Sequence, residues 1–117
     1  MLVYAIVLFV LAALVGLYMA SRVFAGHLPP AAAAVFHGLF GAAGLILLLY
    51  AAFFSGRAQA QPVVIAAILL VLAALGGFFM VSYHMRQQVP PKAIAAIHAL
   101  IAVVGVGLLA ASVFNLI

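Results

Sequence analysis

The side chains able to do chemistry in this chain are few, and the histidines His27, His37, His84 and His98 lead them. None of the 117 residues is Asp, Glu or Cys. Carboxylate general acids, a carboxylate-held divalent cation and a cysteine nucleophile are therefore excluded, and no catalytic activity of the chain alone is expected. Imidazole remains, as a metal ligand, a proton relay or a hydrogen-bonding group. His37 and His98 each stand seven residues after the second proline of a pair, Pro29-Pro30 and Pro90-Pro91.

Those histidines have to be positioned by an apolar scaffold. The chain is 73% hydrophobic and 3% charged, whereas a water-soluble domain carries about a quarter charged residues. Hydrophobic runs fall at Leu2 to about Phe24, Ala31 to about Phe54, Val63 to about Met85 and Ala93 to about Ile117. A helix of roughly 23 residues covers about 34 Å, enough for the hydrocarbon core of a bilayer. The composition thus predicts an all-α integral membrane four-helix bundle. The first run lacks a basic start and exceeds a signal core in length, so it is expected to stay in the protein. Short connections make sequential helices antiparallel neighbours. Net charge is +4, but the four cations are scattered and form no basic stripe, so nucleic acid is not an expected partner.

The chain also repeats itself. A shift of 61 residues aligns Val10–Phe53 with Val71–Phe114, and 18 of those 44 pairs are identical. Gly16 meets Gly77, Met19 meets Met80, the Pro-Pro pairs coincide, His37 meets His98 and Gly44 meets Gly105. The bundle is read as two tandem hairpins, 1–56 and 57–117, forming one membrane domain. Each unit crosses twice, so both copies share one orientation and relate by a pseudo-twofold axis along the membrane normal. The Pro-Pro side carries Arg22, Arg86 and Lys92, and the other side Arg57. The excess of cations predicts that the Pro-Pro connections are cytoplasmic and both termini outside, as for a protein of a bacterial inner membrane.

Seven residues beyond the prolines, His37 and His98 lie roughly 9–11 Å below the helix entry, inside the apolar layer. Ionisable groups there usually face the bundle interior. With the second and fourth helices on a diagonal, the repeat points both rings at one axis from one height. Iron protoporphyrin, haem b, is the cofactor such a pair suits, with His37 and His98 as axial ligands. Gly41 and Gly44 follow His37 at i+4 and i+7, and Gly105 follows His98 at i+7, which would let a flat macrocycle lie between helices. Arg22, Arg86 and Lys92 are the expected partners of its propionates.

Other readings of the same residues stand beside this one. Intramembrane histidines hydrogen-bond across helices, and glycines spaced this way also serve close packing. Met19 and Met80, at similar depth, leave His/Met ligation of haem or a copper(I) site open, or simply fill gaps in the core. His27 and His84 are not equivalent: His27 aligns with Gln88 and His84 with Val23. They read as interfacial side chains, with propionate contact or a proton route as the alternative.

Four short-linked spans with paired histidines, His37 and His98, resemble the design of small membrane b-type cytochromes. The resemblance implies a bis-histidine haem and an electron-transfer role; because many such proteins use four intramembrane histidines for two haems, it implies a single haem here. In size the chain is similar to the small multidrug exporters, but those depend on an intramembrane glutamate that this chain lacks. The alternatives are a cofactor-free accessory subunit of a larger membrane complex and a proton or small-solute pathway. The expected partners are the lipid bilayer and other membrane subunits or further copies of the chain.

Overall fold

The computed structural model describes all 117 residues. It contains four α-helices, α1 Leu2–Phe24, α2 Ala31–Leu49, α3 Gln61–Met85 and α4 Lys92–Val113. A π-helical turn, Tyr50–Phe54, extends α2. Each helix is long and apolar enough to cross a bilayer. The bundle is the expected one, except that α4 stops at Val113. Asn115, with φ 58°, reverses the chain there, and the Leu116 amide closes onto the Ala111 carbonyl at 2.8 Å.

Local chemistry explains the ends. Pro30 and Pro91 precede α2 and α4 in extended conformation, where a missing N–H costs nothing. At the ends of α1 and α3 the amides of His27 and Gln88 bond the carbonyls of Arg22 and Tyr83, both at 2.9 Å. That closure needs a left-handed residue. Gly26 supplies it in the first repeat with φ 82°, and Gln87 in the second with φ 55°. A side chain is strained at such a position, so Gln87→Gly is expected to stabilise the fold by about 0.5–1 kcal/mol. Thermal unfolding in detergent should show the rise, and an unchanged or lower midpoint would contradict it.

Within each hairpin α1 packs on α2 and α3 on α4; between hairpins α4 packs on α1 and, less extensively, α3 on α2. This leaves α2 and α4 on a diagonal. The tight core lies at the end away from the prolines and is built twice: Ala5, Ile6, Phe9 and Leu48 match Ala66, Ala67, Leu70 and Leu109. Toward the Pro-Pro end the buried side chains are small, Ala12, Val23, Ala73 and Ala95 with Pro29 and Pro90. Large apolar residues such as Leu14, Leu17, Leu39, Phe78 and Leu100 are exposed. In water that surface would be untenable; in lipid it is the solvent-facing side.

Candidate functional site

The histidine pair is assembled twice by one device. His37 Nδ1 lies 2.8 Å from the Ala12 carbonyl of α1, and His98 Nδ1 lies 2.7 Å from the Ala73 carbonyl of α3. Ala12 and Ala73 are repeat equivalents, so each hairpin holds its imidazole by the same internal bond. A carbonyl only accepts, so Nδ1 carries the hydrogen and donates it. In the neutral ring Nε2 is then a bare lone pair. Donation of the second ring N–H to a backbone carbonyl is also the usual support of a metal-bound histidine, fixing both tautomer and ring orientation.

Glycine makes the approach possible. A Cβ on Gly16 would stand 2.8 Å from His37 Cε1 and 3.1 Å from Nδ1, so α2 delivers its ring onto a surface that only glycine leaves open. The second copy is looser: Cβ atoms on Gly76 and Gly77 would meet His98 at 3.6 and 3.4 Å. So placed, the two half-buried rings meet edge to face, with centroids 6.1 Å apart and planes at 73°.

The ring centroids lie 6.1 Å apart, close enough that one metal ion between the rings would be within reach of both imidazoles. No group of three or more His, Cys, Asp or Glu side chains that could hold a metal ion occurs in the structure. Two imidazoles alone are too few for the four-coordinate shell of a structural zinc ion. They would suffice for iron in a macrocycle, which would bring the remaining nitrogens itself.

The expected small-residue positions divide. Gly41 is open: a Cβ there would meet nothing within 4 Å. At Gly44 and Gly105 a Cβ would stand 3.0 Å from the Phe9 ring and 2.9 Å from Leu70 Cγ. Phe9 and Leu70 are repeat equivalents, so these two glycines receive matching knobs from the neighbouring helix. Gly105→Ala should therefore cost about 1–3 kcal/mol by overpacking. Gly107→Ala, where a Cβ meets nothing within 4 Å, is the control; equal unfolding midpoints for the two variants would contradict the packing role.

The basic residues lie at the Pro-Pro end, as expected, but turned from the axis. Arg22 is about 120° round α1 from Gly16, and Arg86 about 180° round α3 from Gly77. Arg22 donates from Nη2 to the Leu28 carbonyl at 3.1 Å, and its buried Nε has no partner. Arg86 donates to the Ser82 carbonyl at 3.0 Å and its guanidinium lies 4.7 Å from the Tyr83 ring centre. Lys92 is exposed at the start of α4. Met19 and Met80 are half-buried, one turn from Gly16 and Gly77. His27 is exposed.

His84 is different. It follows Gly77 by seven residues, on the same face of α3, and its Nε2 lies 2.9 Å from the Pro29 carbonyl of the other hairpin. Its lack of a repeat partner was visible in the sequence, but this bond was not, because its acceptor is a backbone carbonyl 55 residues away. The carbonyls of Ala12 and Ala73 escaped for the same reason: residue type does not reveal a backbone acceptor. Comparison with protein families, curated proteins and solved structures gives no match to this chain.

Proposed function

We propose that this protein is a membrane b-type cytochrome or electron-transfer subunit that binds one haem b through His37 and His98. The observation that carries the reading is the matched pair of imidazoles, 6.1 Å apart, each with Nδ1–H committed to a carbonyl and Nε2 left bare. When bound, haem supplies a one-electron iron couple. The chain's part is to hold and insulate it. The carbonyls of Ala12 and Ala73 raise the basicity of the ligating nitrogens and keep the rings from turning. The apolar helix faces keep water away from the centre. Gly41 contributes open space beside the ligand-bearing face of α2.

The propionates belong at the Pro-Pro end, where Arg22 keeps one buried N–H without a partner and Arg86 and Lys92 supply further positive charge. No carboxylate side chain competes for these cations. By the distribution of Lys and Arg, the Pro-Pro connections face the cytoplasm of a bacterial inner membrane and the termini lie outside. Electron donors and acceptors are met within the membrane, in other subunits or a second copy, because the connections are too short to form a soluble docking domain. The test is haem content after expression with haem in excess. One haem per chain with a bis-imidazole spectrum is expected, and folded protein without haem would overturn the reading.

A further inference from the structure

Met19 and Met80 are matched by the repeat, and haem ligation by the two histidines gives them no role. Each stands three residues beyond a glycine that faces an imidazole, Gly16 against His37 and Gly77 against His98. On α1 the positions Ala12, Gly16, Met19 and Val23 alternate steps of four and three, and the outer two, Ala12 and Val23, are buried. Met80 continues the stripe of Ala73 and Gly77 on α3 with the same spacing. Positions so spaced share one helix face, so both half-buried methionines stand on the face that receives the rings. Their Cα atoms lie about 4.5 Å nearer the Pro-Pro end than those of the glycines. Helical side chains lean toward the N-terminus of their own helix. Because α1 and α3 run toward the Pro-Pro end, Met19 and Met80 lean back to the level of the glycines; α2 and α4 run away from it, so His37 and His98 lean to meet them. Each Nδ1 is committed to a carbonyl of α1 or α3, and each Nε2 lone pair points away from that bond.

We propose that the haem-free chain binds one copper(I) ion through Nε2 of His37 and His98 and the thioether sulfurs of Met19 and Met80. All four donors are neutral, and the chain has no Asp, Glu or Cys to balance added charge. A divalent ion would carry two uncompensated charges into the apolar layer, a monovalent ion only one. Thioethers are soft ligands that favour copper(I), whereas calcium, magnesium and manganese need the oxygen donors this site lacks. The site does not depend on haem. It uses the same two nitrogens, so haem and copper(I) exclude one another.

The experiment uses the haem-free full chain in lipid nanodiscs, loaded under argon with copper(I) as its acetonitrile complex and washed with a copper(I) chelator. One retained ion per chain is expected, with both nitrogen and sulfur neighbours in its X-ray absorption spectrum. Excess zinc(II) should not displace it. His37→Ala and His98→Ala should each abolish retention. The Met19→Leu/Met80→Leu double variant conserves volume and apolar character, so it should fold like the parent while losing the sulfur scattering and holding copper less tightly. Met85→Leu, at a position 79% exposed, should bind as the parent does. Copper with nitrogen neighbours alone, undiminished retention in the double methionine variant, or displacement by zinc would overturn the proposal. Haem uptake by a chain that retains no copper would remove this site and leave the haem reading standing; copper retention by a chain that takes up no haem would do the reverse.

Discussion

If the protein binds haem b as proposed, His37→Ala and His98→Ala are each expected to abolish its haem spectrum. Either change would remove one of the two proposed ligand nitrogens and leave a single imidazole. Loss of an outer-shell partner of a metal-bound histidine costs about 10–100-fold in affinity, so loss of the ligand itself should exceed that. Both rings are only half-buried, and the tight core lies at the other end of the bundle. The variants should therefore still insert and keep their helicity, which circular dichroism would verify. Unchanged reduced-minus-oxidised bands in both would remove these histidines from the site.

Gly16→Ala is expected to have nearly as large an effect without touching a ligand. The added methyl would stand 2.8 Å from His37 Cε1, closer than side chains tolerate, and 3.1 Å from the Nδ1 that bonds Ala12. The ring has to turn, and the hydrogen bond that orients it is lost. Haem affinity should fall by about 10–100-fold, with a shifted reduction potential in the fraction that remains bound. Gly77→Ala should be milder, since its methyl would meet His98 at 3.4 Å. Gly41→Ala, which meets nothing within 4 Å, should leave helix packing unchanged. Equal haem affinity and potential in Gly16→Ala and the parent would show that Gly16 does not position the ligand.

The repeat made much of this architecture legible. Once Pro30 and His37 were seen to recur as Pro91 and His98, the helices, their pairing and the common height of the rings followed from periodicity and span length. The fates of the glycines did not. Gly16, Gly44 and Gly105 look alike in sequence, yet one receives an imidazole and the others receive Phe9 and Leu70. Which neighbour arrives depends on the rotation of each helix, and with apolar residues on every face the sequence carries little amphipathic signal to set it. The π-helical turn at Tyr50–Phe54 was hidden for another reason. There the Ala51 carbonyl accepts from both Ser55 Oγ at 2.8 Å and Gln59 Nε2 at 3.2 Å, a local competition with the helical ladder that apolar periodicity does not register. His84 stood out as a break in the repeat, and its partner appeared only when the hairpins were brought together.

The most direct test of the paired imidazoles is electron paramagnetic resonance of the oxidised, haem-loaded protein. Ligand planes 73° apart predict one low-spin ferric species with the strongly anisotropic signal of near-perpendicular imidazoles. A high-spin signal from iron held on one side only, or no haem signal from folded protein supplied with haem, would contradict axial ligation by His37 and His98.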